Sequence, residues 1–257
     1  MNKPVDFKKL GCRECLNGEA LGFDFSMAFQ PIVNVNDKTV FAYEALARGV
    51  NGEPFPEVYK HVNDKNLYRF DQTCRAKSIE LASKLHVDSF LSINFLPNSV
   101  YKPELCIRTT LAAAENFNFP TSNIIFEITE SEKVNDAAHL KRIVSYYRQC
   151  GFKTAIDDFG AGYAGLNLLS DIQTDIIKLD MKLIRSIDTN RVNRTIVKHV
   201  IQMCQDLSIT VIAEGAETKN EVVALQDLGI NLIQGYYFSK PLFEAVSAVD
   251  PIKFELG

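Results

Sequence analysis

The chain contains no tryptophan, four histidines and four methionines in 257 residues. His61, His86, His139 and His199 all fall in segments read as helix or loop, and no G-x-S-x-G occurs. Neither a serine triad nor a histidine-based metal centre is therefore indicated. No apolar stretch approaches the roughly 18 residues of a membrane span. The start, MNKPVDFKKLGCRECLNGEALGF, lacks the apolar core of a signal peptide. A net charge of -4 gives no general attraction to nucleic acid or an anionic membrane, and no basic patch with interleaved aromatics suggests RNA binding. DNA, RNA and membrane are thus not expected as partners, and a phosphate-bearing ligand must be drawn in by local cations.

Cysteine is present but unpaired in pattern. Cys12 and Cys15 form C-x-x-C, with no second such pair or paired histidine nearby to complete a zinc site. They read as a reduced, non-catalytic pair, which places the chain in a reducing cytoplasm. Cys74, Cys106, Cys150 and Cys204 fall inside predicted helices or strands, as buried small apolar residues do.

The 46% hydrophobic and 23% charged shares are ordinary for a globular protein. Eight short apolar runs each carry a polar residue at or near the C-terminal end: Gln30, Glu44, Asn94, Glu127, Asp157 with Asp158, Lys178, Glu214 and Gln234. SMAFQPIV (26–33) and TVFAYEALA (39–47) are joined by a connection too short for a crossover helix, so they pair antiparallel. The later runs, FLSINFL (90–96), IIFEIT (124–129), KTAID (153–157), IIKLD (176–180), ITVIAE (209–214) and INLIQG (230–235), each follow a segment with helical periodicity. QTCRAKSIELASKL (72–85), AAHLKRIVSYYRQC (137–150), TIVKHVIQMCQDL (195–207) and NEVVALQDL (220–228) are such segments. Alternation of this kind implies parallel strands, and eight of them imply closure into a TIM-type (β/α)8 barrel with one antiparallel strand near the N-terminus. The expected organisation is a short extension over residues 1–24 and a single domain over 25–257.

Parallel strands closed into a barrel bring their C-terminal ends to one mouth. Glu44, Glu127, Asp157, Asp158 and Glu214 would then crowd five carboxylates together, which demands counter-ions. Two divalent cations and the Lys178 ammonium would balance them. Oxygen ligands with one amide, from Asn94, favour Mg²⁺ or Mn²⁺ over zinc. Adjacent Asp157 and Asp158 can serve neighbouring ions, one of them bridging. The chemistry indicated is metal-dependent hydrolysis, with Lys178 orienting or deprotonating a water while the cations lower its pKa. The alternative for Lys178 is a structural partner of Asp157 or Asp180. Arg48 is placed to hold a phosphate oxygen or to form a surface salt bridge. Any one acid alone could be a solvated strand end or helix cap; several in register could not.

GAGYAG (160–165) matches the dinucleotide fingerprint G-x-G-x-x-G and follows a strand, with Asp180 near the ribose-binding distance. Asp157 and Asp158 would repel a pyrophosphate, and the motif lies mid-chain. The glycines read instead as a mobile loop beside the metals.

FQPIV (29–33), YEALAR (43–48), INFLP (93–97), FEITE (126–130), DDFGAGYAGL (157–166), IKLD (177–180), AEGAET (213–218) and QGYYFSKP (234–241) resemble, in order, the motifs of the EAL-domain cyclic di-GMP phosphodiesterases. The resemblance covers about 25–245 and implies a stand-alone EAL protein. It further implies a modified barrel, cleavage of cyclic di-GMP to linear pGpG with two Mg²⁺ or Mn²⁺ ions, and a cytoplasmic homodimer. By the same resemblance Glu44, Asn94, Glu127 and Asp157 ligate one metal, Asp157 bridges, and Asp158 and Glu214 complete the second. Lys178 serves the nucleophilic water, with Glu44 the other essential catalytic position. Glu130 braces the Gly-rich loop. Gln30, Arg48, Asp180 and Gln234 are substrate-side residues, with Glu217 a weaker member. Ala47 and Ala216 stand where the family often has leucine and valine. Some family members are catalytically silent receptors or partner-binding modules that lack one or more acids, and none is missing in this sequence. With the chain starting at Met1, no sensory or cyclase domain is expected.

Overall fold

Ten residues of extended chain, Phe25–Asn34 (β1), turn at Asn34 and return as Thr39–Gly49 (β2). The Asn34 side-chain oxygen accepts from the backbone N–H groups of Asn36 and Asp37 at 3.1 and 3.3 Å, which tightens the turn. This hairpin begins the fold in the computed structural model, which describes residues 21–100, 102–129, 136–162 and 165–255.

After the hairpin come α1 (Phe55–Tyr59), α2 (Leu67–Lys84), β3 (Phe90–Asn94), α3 (Pro103–Cys106), α4 (Arg108–Asn116) and β4 (Ile124–Thr129). Next are α5 (Ala137–Gln149), β5 (Lys153–Phe159), α6 (Gly165–Asp171), β6 (Ile176–Leu179), α7 (Met181–Ile184) and α8 (Arg191–Asp206). The chain closes with β7 (Thr210–Ala213), α9 (Lys219–Asp227), β8 (Leu232–Gln234) and β9 (Leu242–Phe243). Helix starts follow local chemistry. Asp136 and Asn190 cap α5 and α8 with their side chains, and Thr218 with Glu221 forms a reciprocal capping box on α9. On α8, Val197, Ile201 and Cys204 make one buried stripe at helical spacing.

Strands β2 to β8 pair in parallel and in sequence, and β1 lies between β2 and β8, antiparallel to both. The result is the closed eight-stranded barrel with one reversed strand that the patterning predicts. β8 covers only Ile32–Asn34 of β1, and β9, which the apolar pattern does not announce, pairs with Ala28 and Phe29 on the same edge. Several strands are shorter than their apolar runs. β3 ends at Asn94, β6 at Leu179 and β7 at Ala213, so Asp180 and Glu214 stand one residue past the ladder.

Side chains alternate across each strand, which separates two cores. The larger lies between the sheet and the helices. The smaller fills the barrel itself: Ile32, Ala42, Ile125, Ala155, Ile176 and Ile212, with Leu232 packed against them. Full burial of an isoleucine is worth about 1.5–3 kcal/mol, so this plug helps offset the charged layer above it. On the parallel strands each plug residue precedes a polar residue by two positions: Ala42/Glu44, Ile125/Glu127, Ala155/Asp157, Ile176/Lys178, Ile212/Glu214 and Leu232/Gln234. On reversed β1 the order inverts, with Gln30 ahead of Ile32. That inversion is what puts Gln30 at the same mouth.

Candidate active site

The polar layer directly above the plug converges on one ammonium. Lys178 Nζ lies 2.5 Å from Glu214 Oε1, 2.9 Å from Glu127 Oε1, 3.0 Å from Asp157 Oδ1 and 3.4 Å from Glu44 Oε2. Lys178 and Glu127 are wholly buried. Glu44 is held from both sides, accepting from Asn94 Nδ2 at 2.9 Å and from Gln234 Nε2 at 2.7 Å. Strand register puts these groups at one level of the barrel: Gln30 faces Glu44 across β1–β2, and Asn94 faces Glu127 across β3–β4.

Burial and mutual repulsion set the protonation of this layer. Burial, then the charges of Glu44 and Asp157, push Glu127 up to about 8 despite the opposing Lys178 charge. Burial and Asp157 raise Glu214 well above the usual carboxylate range, and burial raises Asp157. Asp158 rises to about 6 through burial and the neighbouring Asp157 and Asp180 charges. Glu44 goes the other way: burial opposes its ionisation, but Lys178 and the two amide donors outweigh it. Lys178 is likewise raised well above its usual value, because four carboxylates overcome its burial. Among these carboxylates Lys178 is therefore a firmly held ammonium. Its pairing with Asp157 matches the structural alternative for this residue, while Asp180 instead caps α7 by accepting from Lys182 N–H at 3.0 Å.

Two lobes open from this layer. One, about 360 Å³, is lined by apolar Met27, Leu46, Phe55 and Phe70, with Arg48 at its edge. The other, about 300 Å³, holds Gln30, Asp158, Asp180, Glu214 and Gln234. Both reach Glu44 and Asp157. Arg48 is half-buried and donates to the Ala47 carbonyl at 2.8 Å. Gln30 donates to the Ser239 carbonyl at 3.2 Å, tying β1 to the segment after β8. Glu217 is exposed on the rim and pairs with Arg185 at 2.7 Å, away from the ammonium. Glu130, Cys12 and Cys15 lie outside the described residues.

Backbone shape supports the same layer. Asp158 sits at φ 56, a left-handed conformation uncommon for a residue with a side chain and a recurrent mark of functional sites. Ser92 was not anticipated. It donates to Glu127 Oε1 at 2.5 Å from the level where other strands carry plug residues. Its inward placement follows from its standing two residues before Asn94 in the same strand.

Fit to a pair of divalent ions can be judged from the donors themselves. Oxygens of Glu44, Glu127 and Asp157 lie within 4.8 Å of one another, and so do those of Asp157, Asp158 and Glu214. Asp157 belongs to both sets, and all donors are oxygen, the set that hard cations take. Gln234 Oε1 is buried with no hydrogen-bond partner, an acceptor left facing the same layer. The residues present fit two hard cations. Among the described residues, no helix is long and apolar enough to cross a membrane.

The EAL domain family model matches residues 19–241. A probable cyclic di-GMP phosphodiesterase of Escherichia coli, PdeG, is 30% identical over 266 residues, covering 100% of this chain and 50% of that protein. The chain thus spans about half the length of that curated relative. A standalone versatile EAL protein from Vibrio cholerae, solved in a c-di-GMP-bound form, is 55% identical with a TM-score of 0.88. That match covers 91% of this chain and 99% of the solved one. Klebsiella pneumoniae BlrP1, solved with manganese and cyclic di-GMP, is 36% identical with a TM-score of 0.80, covering 88% of this chain and 57% of that one.

Proposed function

This chain belongs to the EAL domain family, and on that premise we propose that it hydrolyses cyclic di-GMP to linear pGpG with two Mg²⁺ or Mn²⁺ ions. The observation that carries the reading is Asp157, shared between two all-oxygen clusters with a buried lysine beside both. Glu44, Asn94, Glu127 and Asp157 would hold one ion, and Asp157, Asp158 and Glu214 the other. Bound there, such ions supply a nucleophilic water at neutral pH and stabilise the leaving oxygen of a phosphodiester.

The chain's own residues do the rest. Lys178 orients the attacking water, or takes its proton where bound cations lower its pKa, from a position fixed by complete burial in β6. The apolar lobe accepts a base against Phe55 and Phe70, and Arg48 at its edge holds a phosphate oxygen. Gln30, Asp180 and Gln234 line the second lobe on the substrate side, with Glu217 at its rim. Glu130 braces the loop after Asp158 in this reading, and the family resemblance extends it to a cytoplasmic homodimer.

The test is product analysis: pure protein, cyclic di-GMP and Mn²⁺, with the products separated by chromatography. Appearance of pGpG, abolished by Glu44→Ala, supports the reading. Tight binding with the ligand intact after long incubation would falsify it and identify a receptor instead.

A further inference from the structure

Arg75 is a fully buried arginine on the outer side of the barrel, and nothing in the site described above uses it. It is held from three directions. Its Nη2 lies 2.6 Å from Asp71 Oδ2, one turn earlier on α2, and its Nη1 donates to Tyr147 Oη on α5 at 2.8 Å. Its guanidinium carbon stands 5.2 Å from the ring centroids of both Phe95 and Phe126. The two rings meet edge to face at 5.6 Å. Asp71 spends its other oxygen on the backbone, accepting from Leu96 N–H at 3.0 Å.

The neighbours of these groups in sequence give the cluster its meaning. Phe95 follows Asn94, and Phe126 precedes Glu127. Side chains alternate across a strand, so the rings clamped outside are one residue from the oxygens presented inside. Phe95 N–H also donates to the Glu127 carbonyl at 3.2 Å, joining the two strand ends. A buried ion pair of this kind is weak support for stability, since an apolar trio of similar volume would do as well. A guanidinium pinned between two helices, lying against one ring from each strand while its acid partner bonds Leu96 N–H, is better suited to orientation.

We propose that Arg75, with Asp71 and Tyr147, is a positioning device for Asn94 and Glu127, and so sets the affinity of the one metal site those residues serve. The inference rests on the proposed metal-binding reading of that site. Arg75 touches neither substrate nor metal and acts through Phe95, Phe126 and the Leu96 amide. Among the described residues, Asp158 on β5 and Glu214 just past β7 are carried by strands from which no ring meets the Arg75 guanidinium.

Equilibrium Mn²⁺ titration of metal-free protein, followed by electron paramagnetic resonance, decides the matter, with melting curves run in parallel. Wild type is expected to show two sites. In Arg75→Lys, whose ammonium cannot grip Asp71 and Tyr147 together, one site should weaken by about 10–100-fold while the other changes little. Tyr147→Phe, which keeps the ring and removes one bond, should give a smaller shift at the same site. Activity lost in either variant should return at high Mn²⁺. Should Arg75→Lys fail to fold, Tyr147→Phe alone decides. A lowered melting temperature with both affinities unchanged would make the cluster merely structural and overturn the proposal. Failure of wild type to bind two ions would instead overturn the metal reading beneath it.

Discussion

Lys178 Nζ and Glu214 Oε1 stand 2.5 Å apart at the centre of the barrel mouth, the shortest of four contacts that hold this ammonium among carboxylates. The ammonium neutralises the same oxygens that two divalent ions would take. It is therefore both a proposed reagent and a competitor for the metal ligands.

Lys178→Met tests the two roles apart. Turnover should fall by about 100-fold or more, because no group remains to orient the water or take its proton. Mn²⁺ affinity should rise by about tenfold, equivalent to about 1.4 kcal/mol, because the carboxylates lose their internal counter-ion. Calorimetric titration reads the second effect without any turnover, and unchanged or weaker binding would refute the competition.

Stability in chelator should decline as pH rises from about 4.5 to about 8. Glu127, Glu214, Asp157 and Asp158 all have folded-state values above those of an unfolded chain, with Glu127 at about 8 and Asp158 at about 6. The folded state then binds more protons in this window, so its advantage is present at the acid end and lost as these groups ionise. Glu44, shifted downward, acts oppositely and loses its contribution only on acidification below its ordinary range. Thermal melts with and without Mn²⁺ should show a larger metal-induced gain at pH 8 than at pH 6.

Asp158→Asn separates backbone strain from charge. Asparagine tolerates the φ of 56 found at this position, so the turn should survive. The change also removes a carboxylate raised by burial and by Asp157, so the metal-free protein at pH 8 should melt no lower than wild type. Mn²⁺ stoichiometry should drop from two to one, and pGpG formation should cease.

Gly235→Ala should damage the fold directly. A Cβ there would lie 1.9 Å from the Ala216 carbonyl oxygen and 2.5 Å from its nitrogen, backbone atoms that cannot step aside. Ala216 N–H bonds the Gln234 carbonyl, and Tyr237 N–H bonds the Ala216 carbonyl, so both contacts would open. Denaturant unfolding should show a loss of about 3 kcal/mol, the upper part of the overpacking range.

The mouth was readable in the sequence because six of the parallel strands write it the same way, with an apolar plug residue and a polar residue two positions later. Ser92 escaped because it occupies a plug position, where a small hydroxyl in a strand carries no signal of its own. Asp71 and Arg75 escaped for another reason: an acid and a base four apart on a helix ordinarily mark a solvated face, and only tertiary packing shows them buried. Two residues following Pro241 are too few for any periodicity, so β9 is invisible in the pattern. Glu217, three residues after Glu214 in the same motif, stands exposed on the rim of the second lobe and pairs there with Arg185.

One strand running backwards also changes where the polypeptide enters the molecule. In an all-parallel barrel the first strand begins at the floor, far from the chemistry. Here Phe25 pairs with Gly49, at the mouth end of β2, so the chain comes in over the rim. The Phe23 ring packs 6.2 Å from Phe70, which forms a wall of the apolar lobe, and 5.3 Å from His61. The lead-in to the barrel is thus one ring away from the apolar lobe. Tension or displacement applied upstream of residue 21 would be delivered to that wall rather than lost at the far end of the barrel.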